Sequence, residues 1–151
     1  MINFKNLKKK MIVAEVGVSY YGKIGNAIKL IDKLKKSGVD AIKFQTHYAD
    51  AESTYQEKFR EGFKFKFKSR YDYWKHHELT ESEWLKIKKY CKQKKLFFSS
   101  SPFSLKSFYV LNKLGVDLKV VKAAWNTNLK VRPEKDWELL KGRAVIDKEI
   151  D

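Results

Sequence analysis

Short apolar runs alternate with amphipathic stretches along the chain, and this rhythm limits the fold more than any other feature. The runs lie at 11–17 in "MIVAEVGV", 40–46 in "GVDAIKFQTH", 96–100 in "LFFSS" and 117–122 in "VDLKVVKAA". Each is too short for a buried helix and rich in β-branched or aromatic residues, so each is expected to be a strand. In "GNAIKLIDKLKKSG", Ala27, Ile28, Ile31, Leu34 and Lys35 recur at helical spacing, with Gly38 as the stop. Thr80 stands three residues before Glu83, a capping box that opens a second amphipathic helix. "SPFSLKSFYVLNKLG" reads as a third helix, with Pro102 in its first turn and Gly115 beyond its end. Residues 47–78 read as a long polar and aromatic loop. Strands separated by helices imply an α/β fold with parallel strands joined by right-handed crossovers.

Within the second run, Lys43 interrupts Ala41, Ile42 and Phe44. An ammonium group in an apolar strand is costly unless something pairs with it, which marks Lys43 as a candidate site residue. Glu15 on the neighbouring strand is one candidate partner, and an anionic ligand is the other.

Open parallel sheets and barrels bind substrates at the carboxyl ends of their strands. The polar residues near those ends are Glu15, Gly17 and Ser19, then Lys43, Gln45 and His47. Ser99, Ser100 and Ser101 follow on the third strand, and Lys119 and Lys122 on the fourth. Ammonium groups, hydroxyls and one carboxylate meeting at one mouth suit a small anion bearing phosphate and carboxylate. One of the three serines is also expected to cap the helix that follows. His47, His76 and His77 lack metal-ligand spacing, and the chain carries no P-loop or dinucleotide glycine fingerprint.

Composition bears on partners and compartment. The formal charge of +15 invites a nucleic-acid reading, but the lysines are spread over every segment, and arginine occurs only at Arg60, Arg70, Arg132 and Arg143. Nucleic acid is therefore the weaker reading. "FKFKFK" at 63–68 is expected to be a short edge strand, not a base-stacking platform. No apolar run reaches membrane-spanning length, and the lone Cys91 forms no internal disulfide, so a cytoplasmic setting without membrane partners is expected.

Taken in order, "IVAEVGVSYYG" (12–22), "GVDAIKFQTH" (38–47), "RYDYWKHHELTESEWLKIKKYC" (70–91) and "FFSSSPFS" (97–104) resemble the sialic acid synthase family. The resemblance implies a (β/α)8 barrel that condenses phosphoenolpyruvate with an N-acetylated amino sugar to form a nonulosonic acid. By resemblance Glu15 matches a conserved glutamate that moves a proton or binds a hydroxyl. Lys43 matches a phosphoenolpyruvate-binding lysine, Gln45 a sugar contact, and Ser101 the hydroxyl residue before proline that holds the same anion. Either Lys119 or Lys122 matches the family's fourth-strand lysine.

The departures are as informative. The family's Asn-His-Asn-Gly is replaced by Ser19-Tyr20-Tyr21-Gly22, and no Ser-Gly-Glu follows the fourth strand. The expected organisation is a basic arm at 1–10, a partial barrel of about four β/α units at 11–122, and a divergent tail at 123–151. The family's divalent metal, manganese or magnesium, would bind through residues absent here, so no cofactor is expected within the chain. A half barrel exposes strand edges, so a homo-oligomer or a second half-barrel is expected as partner. The expected function is a synthase-like domain that is incomplete and inactive alone, or a non-catalytic anion-binding module that pairs with a full-length synthase.

Overall fold

The computed structural model describes residues 11–59 and 66–119. Its core is a parallel sheet of four strands in sequential order: β1 (Val13–Gly17), β2 (Ala41–Thr46), β3 (Phe97–Pro102) and β4 (Leu118–Lys119). Helices α1 (Ile24–Lys36), α4 (Glu81–Gln93) and α5 (Leu105–Leu114) make the crossovers. Two shorter helices, α2 (Ala49–Glu52) and α3 (Arg70–His77), lie between β2 and α4. This is the α/β architecture of parallel strands that the strand–helix rhythm implies, and it is consistent with the partial barrel that the family resemblance implies.

Alternation along β2 separates two faces. Ile42, Phe44 and Thr46 are fully buried, whereas Lys43 and Gln45 are half-buried. The buried face packs on the helices through Tyr20, Ile31, Phe44, Trp84, Ile87, Cys91 and Phe98. On the other face, register places Val13, Ala41 and Phe97 in one row. Glu15, Lys43, Ser99 and Leu118 form the next row, and Gln45 and Ser101 lie beyond them. Such rows are the layering of a (β/α)8 interior. Val13 and Phe97 keep 43% and 41% of their surface exposed, whereas Ala41, Ser99 and Ser101 are buried, so among the described residues this face is open mainly at its Val13–Phe97 end and around Glu15 and Lys43.

Three local expectations need correction. The stretch 47–78 is not one loop: α2 and α3 form within it, the latter capped by the Ser69 side chain accepting from Asp72 N–H. Pro102 ends β3 and does not open a helix. The cap of α5 is Ser104, paired with Ser107 in a capping box, and not one of Ser99–Ser101. Pro102 restrains the residue before it to extended backbone, which favours continuing the strand. Residues 63–65 of the Phe/Lys tract, Lys122, and the 1–10 and 123–151 segments lie outside the described residues.

The Thr80 capping box forms as expected: Thr80 Oγ1 accepts from Glu83 N–H at 3.2 Å, and Glu83 Oε2 accepts from Thr80 N–H at 2.8 Å. Thr80→Ala should lower stability by about 1 kcal/mol, read as a lower urea midpoint with unchanged slope. An unchanged midpoint would show that α4 is held by packing alone.

Candidate functional site

β1 contains a bulge. Glu15 pairs with Lys43, but Gly17 pairs with Phe44, so Val16 is the extra residue. A bulge bends its strand and re-aims side chains. Here Glu15 folds back on the bulge, its Oε1 accepting from Gly17 N–H at 3.1 Å. Its other oxygen, Oε2, lies 2.7 Å from Lys43 Nζ. In this structure, then, Lys43 meets Glu15. The lysine side chain keeps 22% of its surface exposed and the glutamate 47%, so the pair stands at a solvent-open mouth. An exposed pair of this kind is held weakly and can exchange partners.

The register that joins Glu15 to Lys43 continues to Ser99, and Gln45 pairs with Ser101 two residues further on. Glu15, Lys43, Gln45 and Ser101 are thus brought to one face near the carboxyl ends of β1–β3. Lys119 pairs with Ser100, in the row of Phe44, while Leu118 occupies the row of Lys43.

Above this face sits a cluster of which the sequence pattern brings only His47 to the mouth. His47, one residue past β2, lies between Trp74 (ring centroids 3.8 Å apart, planes at 10°) and Phe103 (4.1 Å, 28°). Its Nδ1 is 2.6 Å from Glu52 Oε2, and both side chains are almost fully buried. Glu52 Oε1 accepts from Tyr48 N–H at 2.8 Å. His47 Nε2 reaches the Gln45 side chain, 3.4 Å from Oε1. The only sequence signal is a histidine just past a strand with a carboxylate five residues later, a spacing that gains meaning once α2 folds back.

Within the Ser19-Tyr20-Tyr21-Gly22 segment, Tyr20 and Gly22 have structural roles. Tyr20 is fully buried, and its hydroxyl donates to the Gln45 carbonyl at 3.1 Å. Burial and the nearby Glu52 push its phenol pKa up, so it remains a donor. Gly22 has φ +65°, and a Cβ there would collide with the His76 carbonyl oxygen. Only glycine fits that approach of β1's exit loop to α3.

Among the described residues no cluster of three His, Cys, Asp or Glu side chains could hold a metal ion. His47 is engaged by Glu52 and Gln45, and His77 Nδ1 by the Tyr73 carbonyl at 2.7 Å. The described part of the chain therefore does not fit a divalent metal centre. No helix among the described residues is long and apolar enough to cross a membrane.

Comparison with known proteins agrees with this geometry. Residues 30–131 match the NeuB family. An uncharacterized protein of Methanocaldococcus jannaschii is 34% identical over 105 residues, covering 70% of this chain and 28% of that protein. The N,N'-diacetyllegionaminic acid synthase of Campylobacter jejuni is 32% identical over 130 residues, covering 82% of this chain and 38% of the synthase. The chain thus spans less than two fifths of the length of either relative. Among solved structures, the N-acetylneuraminic acid (sialic acid) synthetase of Leptospira borgpetersenii, in complex with citrate, superposes with a TM-score of 0.62 at 24% identity. That superposition covers 80% of this chain and 40% of the synthetase, and it supports the fold. With strand order, register and a family match over more than half of its length in agreement, the chain belongs to the NeuB family of sialic acid and related nonulosonic acid synthases.

Proposed function

We propose that this chain supplies the phosphoenolpyruvate-binding half of a nonulosonic acid synthase, the sugar partner being an N-acetylated amino sugar. The observation that carries the reading is the face shared by Lys43, Glu15, Gln45 and Ser101. Lys43 leaves Glu15 to bind the anion, whose carboxylate or phosphate offers a stronger charge-assisted partner. Ser101 donates its hydroxyl to the same anion, and Gln45 contacts a sugar hydroxyl or amide. Glu15, released from Lys43, is placed to accept a proton from a hydroxyl or from attacking water. Lys119 shares the row of Phe44 on the helix-packed face, so Lys122 is the remaining candidate for a second ammonium on phosphate.

The described residues supply positioning and charge for the anion, but no metal site to orient the sugar aldehyde. The β1 edge of the described sheet calls for further strands, from a second copy or a separate half-barrel, to close the site. Alone, the chain is expected to bind phosphoenolpyruvate without turning it over. Incubation with phosphoenolpyruvate, N-acetylmannosamine and manganese should release no protein-dependent phosphate. Clear release would show that the chain completes the site by itself or by self-association. Failure of phosphoenolpyruvate to bind at all would remove the synthase reading.

A further inference from the structure

The buried cluster above the anion face has a polarity that can be worked out atom by atom. Glu52 is almost fully buried and accepts from Tyr48 N–H, so an ionised carboxylate there holds a proton on His47 Nδ1. The two aromatic rings clamp the imidazole plane, and the Glu52 contact fixes Nδ1 on the side of α2. Nε2 is then the nitrogen free to change, and it faces the Gln45 side-chain amide. When Nε2 carries a proton it donates to the amide oxygen, and the NH2 group turns to the face that carries Lys43. When Nε2 is bare it must accept, so the NH2 group turns toward the ring and the carbonyl oxygen faces the ligand side.

We infer that His47 and Glu52 are a positioning pair for Gln45, with the proton on His47 Nε2 setting which end of the Gln45 amide meets the sugar. With the proton present, the site offers a donor and selects a carbonyl or hydroxyl oxygen. With it absent, the site offers an acceptor and selects an O–H or amide N–H. The identity of the ligand rests on the synthase reading, whereas the coupling between the two side chains does not.

Among the described residues the ionisable groups around the His47–Glu52 pair include Tyr20 at the exit of β1, whose phenol pKa burial and Glu52 push up. α2 contributes Glu52, and α3 contributes Trp74, which is neutral, and His77, whose pKa burial pushes down. The segment after β3 contributes Phe103, and β2 contributes Gln45. Glu52 is the charged side chain in direct contact with the ring among the described residues.

The test is nitrogen NMR on the full chain, following the His47 ring nitrogens and the Gln45 side-chain amide as the pH is varied. Nδ1 should stay protonated throughout, and Nε2 and the Gln45 amide should move together with one midpoint. His47→Phe keeps the ring stack and should flatten the Gln45 response. Adding Glu52→Gln to it removes the stranded carboxylate should the single variant fold poorly. A Gln45 amide that ignores the His47 transition, or an Nδ1 that loses its proton, would overturn the inference. In a parallel titration, N-acetylmannosamine affinity should change several-fold across that midpoint in the parent and stay flat in His47→Phe. Phosphoenolpyruvate affinity should follow the same pH course in both proteins. If the parent binds neither ligand, the synthase reading fails, and the NMR result alone decides whether the pair positions Gln45.

Discussion

Lys43→Met is expected to abolish phosphoenolpyruvate binding while leaving the fold nearly as stable as the parent. Methionine keeps the apolar stem of the lysine within β2 and removes the charge. From sequence alone, breaking a Lys43–Glu15 pair threatens to strand a buried carboxylate, at a cost of roughly 3–5 kcal/mol. The structure removes that threat, because Glu15 is nearly half exposed and retains the Gly17 N–H. The freed carboxylate stays hydrated, so the stability loss should be within about 1 kcal/mol, a shift in melting temperature of about 2–4 °C. Lys36→Met, on the exposed end of α1, is the control for net charge and should leave binding intact. The measurements are ligand titration and thermal melting of the three proteins side by side. Phosphoenolpyruvate bound equally well by Lys43→Met would make the Lys43–Glu15 pair an incidental surface contact and take away the main support for the anion site.

How far the fold and site are legible in the sequence depends on the range of the interactions that build them. Strands and long helices announce themselves because burial imposes a period: Ile42, Phe44 and Thr46 alternate with Lys43 and Gln45, and α1 repeats its apolar residues every three or four positions. Parallel order follows from the crossovers alone. The short helices stay hidden for the opposite reason. α3, "RYDYWKHH", places aromatic and polar groups all round, so it has no apolar stripe, and it forms because Ser69 caps it and Trp74 stacks on His47. The β1 bulge is a register event between two strands, and its one mark in "VAEVG" is Gly17, whose φ of +52° suits glycine. Lys43 can be singled out because a charge breaks the pattern of its own strand. The role of His47 cannot, since it depends on Glu52, Trp74 and Phe103, which only the folded chain brings around it. Metal-ligand spacing is the wrong criterion for a ring whose work is to hold an amide.

Trp84→Ala is expected to be strongly destabilising, well beyond Thr80→Ala or Lys43→Met. The side chain is fully buried and makes tilted or edge contacts with Tyr20 (5.6 Å, 80°), Phe44 (5.9 Å, 72°) and Phe98 (6.2 Å, 50°). It therefore ties α4 to β2, β3 and the exit of β1 at once. Truncating a buried tryptophan to alanine costs about 3–5 kcal/mol, a large share of the roughly 5–15 kcal/mol that stabilises a typical domain. Trp84→Phe should cost far less, because the indole N–H has no partner among the described residues, so its loss breaks no hydrogen bond. Cys91, about two helical turns further along α4, offers an independent readout. It is fully buried, and burial pushes its thiol up to about 12, so it should react with thiol reagents only when the core opens. Urea midpoints should fall, and Cys91 labelling rates rise, in the order parent, Trp84→Phe, Trp84→Ala, with the alanine variant far from the other two. Phe44 lies between Lys43 and Gln45 on β2, so loss of its packing partner should also weaken phosphoenolpyruvate binding in the alanine variant before the chain unfolds outright. Equal stability of the alanine and phenylalanine variants would mean that Trp84 does not sit at the junction of helix and sheet, and the register that aligns Lys43 with Glu15 and Ser99 would lose its structural support.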